Sequence, residues 1–173
     1  RTVLAVEDAD FYGHDGVSAK SILRAFRANS DAGAISQGGS TITQQLVKIS
    51  LVGDERSLTR KMKEASLALQ LEQQLCEGVP KHQCKDQILE LYMNQIYLGQ
   101  RTHGFASAAR TYFNKPLAEL TVAEAAMLAG IPQNPAKHNP AVNPVRAKAR
   151  QVLVLKRMLQ LGKITEAQYA EAI

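Results

Sequence analysis

The chain has 173 residues, 45 % hydrophobic and 21 % charged. That balance excludes a disordered tail or a fibre and suits one domain rather than two. Lysine and arginine outnumber aspartate and glutamate by 21 to 16, a net charge of +5, which suits nucleic acid, an anionic membrane or a phosphorylated substrate, so the location of the cations matters more than their number.

No stretch approaches the ~20 apolar residues of a membrane span. With no Trp, five Tyr and four Phe, the core must be aliphatic. In chain order, residues 2–6 read as a short strand. Residues 17–29 read as a helix, with Ser18 as its cap and Ile22, Leu23 and Phe26 on one side. A Gly/Ser break at 36–40 precedes a helix over 41–49, and residues 49–52 give a second, weak strand signal. The longest amphipathic run is 58–75, where Leu58, Met62, Ala65 and Leu69 form an apolar stripe. Residues 85–98 predict another helix, halted at Gly99. Thr121 and Glu124 form a capping box, and Gly130 and Pro132 end that helix. Asn143-Pro144 opens a helix running to Gly162, and a last short one starts at Thr165 and Gln168. The fold class is mainly α.

Three segments concentrate chemistry. Glu7, Asp8, Asp10, Phe11, His14 and Asp15 fall within ten residues, and an acid closing a short strand is a candidate general base. Composition alone favours an acidic surface turn there. Gly38-Gly39-Ser40-Thr41 leads into a helix whose first N–H groups make an anion site by geometry and dipole. It lacks the Gly-Lys-Ser/Thr ending of a Walker loop, and Thr41, Gln44 or Gln45, and Lys48 share one helical face. Arg56, Arg60 and Glu64 follow at i, i+4 and i+8. Such a pair is usually a surface salt bridge, but four cations in eight residues, Lys61 and Lys63 included, also suit a diphosphate. Glu90 and Asn94 read as a buried carboxylate and amide tying helices together, and Glu124 is explained by its cap. Cys76 and Cys84 do not make a zinc site with His82 alone. They read either as two free thiols or as a disulfide closing a small loop, worth roughly 2–3 kcal/mol.

Singly these signals are weak; their order is not. Glu7-Asp8-x-x-Phe11-x-x-His14-x-Gly16 comes first, then Gly38-Gly39-Ser40-Thr41-Ile42-Thr43-Gln44-Gln45. Arg60-Lys61-x-x-Glu64 follows, then Lys85-x-x-Ile88-Leu89-Glu90-x-Tyr92-x-Asn94. Leu120-Thr121-x-Ala123-Glu124-Ala125-Ala126-x-Leu128-Ala129-Gly130 closes the series, with Pro135 and Asn139-Pro140. Over nearly its whole length the chain resembles the peptidoglycan glycosyltransferases of glycosyltransferase family 51. These are the transglycosylase domains of class A penicillin-binding proteins and their monofunctional relatives.

The resemblance implies a lysozyme-like, mostly helical fold, with residues 1–173 forming one domain of a large lobe and a smaller, membrane-facing lobe. It implies polymerisation of lipid II into β-1,4 glycan strands, with inversion and release of undecaprenyl diphosphate, at the extracytoplasmic (periplasmic) face of the cytoplasmic membrane. Glu7 matches the base that activates the acceptor 4-hydroxyl, and Glu64 the second essential glutamate near the donor diphosphate. Ser40, Thr41, Gln44, Gln45, Lys48, Arg56, Arg60 and Lys61 match diphosphate- and sugar-binding positions. Asp8, Phe11 and His14 match positions that shape the site. No cofactor is strictly required, although a divalent cation, magnesium or manganese, would have its place near Glu64.

The partners implied are lipid II, the growing glycan chain, the membrane surface and other cell-wall synthesis proteins, with no nucleic acid. Arg1 in place of Met, and Glu7 already within a motif, suggest that an N-terminal anchor is missing. Three places depart from the family pattern: the 76–84 loop, His103 in place of a familiar tyrosine, and Asn114 in place of a common glycine. An extracytoplasmic setting favours the Cys76–Cys84 disulfide. The main rival is a glycan-cleaving lysozyme-like or lytic transglycosylase enzyme, which would need a protonated acid and would have no use for the cations around Arg60. A basic module that binds anionic lipid or nucleic acid is the second, although the cations lack interleaved stacking aromatics.

Overall fold

The computed structural model describes residues 1–20, 23, 39–50 and 58–173. Most of the helix expected over 17–29, Gly38, residues 51–52 of the second strand signal, and Arg56 lie outside the described residues. Among the described residues the fold is helical, and the only strand-like pairing is an isolated bridge between Tyr97 and His103. The chain divides into two compact units, Arg1–Ala9 with Met93–Ile173, and Asp10–Tyr92.

In the first unit, α1 (Thr2–Glu7) packs against α6 (Val122–Ala129) and α7 (Pro144–Gln160). α5 (Phe105–Phe113) leads through a 3-10 turn at Leu117–Glu119 to α6, and α8 (Glu166–Ala172) lies on α6 and α7. Phe105, Ala126, Leu128, Ile131, Val154 and Leu155 fill the aliphatic core. Residues 2–6 are helix, not strand. Ala5 N–H donates to the Arg1 carbonyl and Asp8 N–H to that of Leu4. Valine and threonine favour strands, but packing on two helices buries Val3 and Ala5 and overrides so short a run of propensity.

Both expected capping boxes are present, at Thr121 with Glu124 and at Thr165 with Gln168. Asn143 precedes α7 without a side-chain cap, and its amide nitrogen donates to the Ala136 carbonyl. Asn114 ends α5 at φ 53° and ψ 36°, the left-handed conformation that asparagine tolerates.

In the second unit, α2 (Ile42–Ser50) packs on α3 (Leu58–Cys76), and α4 (Lys81–Gln95) contributes residues up to Tyr92. α2 includes Ile49 and Ser50, so the second strand signal fails there. α4 begins four residues earlier than expected and stops at Gln95, short of Gly99. Its start is held to the 10–16 loop by Tyr12 Oη donating to Asp86 and by a Lys81–Asp15 ion pair. Burial and the Asp86 carboxylate push the Tyr12 phenol up to about 12. Cys76 and Cys84 are joined as a disulfide, Cα–Cα 5.2 Å, between the end of α3 and the first turn of α4. Gly16 has φ +94°, and a Cβ there would lie 2.7 Å from the Ala68 carbonyl oxygen, so only glycine lets this loop meet α3.

The buried face of α3 is not the expected stripe. Met62 is 67 % and Leu69 48 % exposed, and Ala65 is half-buried, whereas Glu64, Ala68 and Glu72, at i, i+4 and i+8, are buried. The apolar spacing pointed to one side of the helix, and the partners waiting for two carboxylates chose another. Glu90 and Asn94 are exposed. The buried tie between helices is Lys85 Nζ to Glu72 Oε1 at 2.7 Å, with Thr43 Oγ1 donating to the same oxygen.

Candidate functional site

At the start of α2, the chain sets the geometry of the Gly/Ser segment by a reciprocal cap between Thr41 and Gln44. Thr41 N–H donates to Gln44 Oε1 at 2.8 Å, and Gln44 N–H donates to Thr41 Oγ1 at 3.1 Å. Thr41 Oγ1 also donates to the Gly16 carbonyl. Both side chains are buried and used in the turn, so two N–H groups expected to face an anion are already bonded within it. Gln45 is held by Tyr92, whose hydroxyl donates to Gln45 Oε1 at 3.1 Å. Lys48 is exposed on the last turn of α2. The shared polar face expected of Thr41, Gln44 and Lys48 is therefore mostly internal.

Ser40, Arg60, Lys61 and Glu64 are brought together. Glu64, with 4 % of its side chain exposed, takes Arg60 Nε on Oε1 and Lys61 Nζ on Oε2, each at 3.1 Å. Lys61 Nζ also donates to Ser40 Oγ. Burial pushes the Glu64 carboxyl up, but the bonds and charges of Lys61 and Arg60 outweigh it and hold the group below its usual range. The cluster remains partly open, since the Lys61 side chain is 52 % exposed.

The divalent cation expected near Glu64 does not fit this arrangement. Both carboxylate oxygens already face cations, and among the described residues no three His, Cys, Asp or Glu side chains gather to hold a metal ion.

Phe11 and His14 are buried in the second unit. Lys85 Nζ stands 4.5 Å from the Phe11 ring centroid, within cation–π range. His14 meets the same ring edge-on, and its Nδ1 accepts from Gly16 N–H at 3.2 Å. These contacts fix the 10–16 loop. In the first unit Asp8 is buried just past α1. Glu7 closes that helix with 9 % of its side chain exposed, and its Oε1 lies 3.9 Å from Nη2 of Arg150 on α7.

Sequence reasoning missed Glu72, Lys85 as its partner, and Arg150. Glu72 had a usable signal, because it repeats Glu64 two turns on. Arg150 sits among Arg146, Lys148 and Arg157 on α7 with nothing in the pattern to single it out.

Within a helical fold, the first unit thus holds a glutamate beside an arginine, and the second holds another glutamate gathered with two cations and a serine hydroxyl. A family model described as transglycosylase matches residues 1–159. Penicillin-binding protein 1A of Neisseria flavescens is 53 % identical over 171 residues, 99 % of this chain and 20 % of that protein. A protein of Cupriavidus necator named as a transglycosylase is 49 % identical over 172 residues, 99 % of this chain and 70 % of that protein. Among solved structures, penicillin-binding protein 1A from Haemophilus influenzae matches with a TM-score of 0.50 and 46 % identity, over 51 % of this chain and 13 % of that one.

The chain belongs to the transglycosylase family, the peptidoglycan glycosyltransferases that its motifs resemble. It spans 20 % of the length of the Neisseria relative.

Proposed function

We propose that this domain polymerises lipid II, with Glu7 as the base and Arg60, Lys61, Lys48 and Ser40 receiving the diphosphate of the donor. The observation that carries the reading is the cluster at Glu64. A buried carboxylate holds two cations in fixed positions beside a serine hydroxyl, with one of them half open to a ligand. A glycan-cleaving enzyme has no use for that arrangement, because an alkoxide leaving group needs a proton rather than cations.

In the reaction the acceptor 4-hydroxyl gives its proton to Glu7, and its oxygen forms the new bond to the donor C1. The C1–O bond to phosphate breaks, and the lipid diphosphate leaves with the electron pair. Attack on the face opposite an α-linked leaving group inverts the centre and gives a β-1,4 link. A diphosphate is stable as an anion, so it needs fixed positive charge more than protonation. Thr41, Gln44 and Gln45 act by holding the turn, Phe11 and His14 by holding the 10–16 loop, and Asp8 by holding the chain just past α1. Glu64 acts by holding Arg60 and Lys61 in place.

The two compact units would be the two lobes. Contact with the periplasmic surface of the cytoplasmic membrane rests on the family resemblance, because exposed apolar side chains lie on both units, Leu23, Ile49, Met62 and Leu69 on the second and Val142, Val145 and Leu153 on the first. Among the described residues no helix is long and apolar enough to cross a membrane.

The test is Glu7→Gln assayed with lipid II. Polymer formation should disappear while the fold and the binding of moenomycin, the family's phosphoglycolipid inhibitor, persist. Wild-type turnover would falsify the assignment of the base. Shortening of purified glycan strands without growth from lipid II would favour the cleaving alternative.

A further inference from the structure

We propose that Arg150 is a positioning residue for Glu7, and that Gly130 exists to let its side chain through. The inference rests on the reading of Glu7 as the base. Arg150 lies on α7, and its Nη2 stands 3.9 Å from Glu7 Oε1. That is too long for a hydrogen bond but close enough for a strong Coulomb attraction with so little water around either group. A guanidinium at this distance orients the carboxylate without itself taking an acceptor site on the oxygen that must receive a proton.

The local fold does not otherwise account for a buried arginine. Only 16 % of the Arg150 side chain is exposed, and its Nε is buried without a hydrogen-bond partner among the described residues. Burial pushes the guanidinium pKa down, and the charge of Glu7 opposes that shift. Leaving a buried donor unpaired costs free energy that the surrounding helices do not return. The Arg150 charge also reaches His138, whose pKa is pushed below the ordinary value by burial first and then by that charge.

Gly130 supplies the second observation. Its φ of −77° and ψ of −20° are open to any residue, so backbone freedom does not explain the glycine. Space does: a Cβ there would lie 2.8 Å from Arg150 Cγ, near the root of that side chain rather than at its flexible tip. A methyl group at residue 130 must move the arginine while leaving its charge intact.

The experiment measures lipid II polymerisation by the full-length protein carrying Arg150→Met, Arg150→Lys, Gly130→Ala or Glu7→Gln, with melting temperatures alongside. Arg150→Met should lower kcat on the order of 10- to 100-fold, the scale of a misplaced catalytic group, with KM for lipid II little changed. Arg150→Lys should recover part of the loss. Gly130→Ala should lower kcat in the same direction despite a retained guanidinium, which keeps the inference testable if Arg150→Met does not fold. The double variant Glu7→Gln/Arg150→Met should be no slower than Glu7→Gln alone. Wild-type kcat in Arg150→Met or Gly130→Ala, with Glu7→Gln inactive, overturns the positioning role and leaves the base assignment standing. Activity in Glu7→Gln overturns both. A purely structural role would lower the melting temperature of the Arg150 variants while leaving kcat of the folded protein unchanged, and that result also overturns the proposal.

Discussion

Two glutamates on one face of α3 meet different fates at the scale of single residues. Glu64 is held by Arg60 and Lys61 at a partly open edge, whereas Glu72 is sealed inside with Lys85, whose side chain is 0 % exposed, and with Thr43. A buried ion pair contributes little over an apolar pair of the same volume, but breaking one side strands a charge. Lys85→Met should therefore destabilise the protein by about 3–5 kcal/mol. Adding Glu72→Leu should restore most of that loss. Urea unfolding of both single variants and the double variant checks it, and additive losses would show that the two charges do not depend on each other.

Among the elements, local propensity and tertiary packing disagree where a short segment carries no cap to mark it as helix. α1 reads as a strand because six residues cannot display a helical period, and it is helical because its neighbours bury one side of it. The long helices α3 and α7 do not have this ambiguity, the short α6 and α8 are marked by their capping boxes, and Asn114 adopts the turn that its chemistry allows. The α3–α4 junction depends on a covalent link at a sequence separation of 8. Replacing Cys76 and Cys84 together by alanine should cost roughly 2–3 kcal/mol, since a short closed loop removes modest entropy from the unfolded chain. Chemical denaturation measures this, and an unchanged midpoint in the double variant would count against a stabilising bridge.

Acid should weaken the whole molecule in two stages. The His138 pKa is depressed below 6.5 by burial and then by Arg150. The unfolded chain therefore takes up a proton there first, and stability falls as pH drops below about 6.5 toward the folded value. The Glu64 carboxyl is held below its usual 4.5. Its contribution is complete above that value and is lost as pH falls through the lower, folded one. Melting temperature followed from pH 8 to pH 3 should show both declines. His138→Gln should remove the first and keep the second; a first decline that survives this substitution would place its origin elsewhere.

The helical class, the family and the order of its motifs were legible in the chain, because periodicity, caps and closely spaced polar residues are local properties. Local spacing also placed Arg60 beside Glu64, since one helical turn brings them together whatever surrounds the helix. Which face of α3 is buried, which of the polar residues near Gly39 are consumed in their own turn, and why a glycine stands opposite Arg150 were decided only in three dimensions. Each depends on what a distant segment presents: Lys85 and Thr43 to Glu72, Gly16 to Thr41, Glu7 to Arg150. Burial makes an unpaired charge costly, so the partners supplied by the fold, rather than the hydrophobic pattern alone, choose where the polar side chains go.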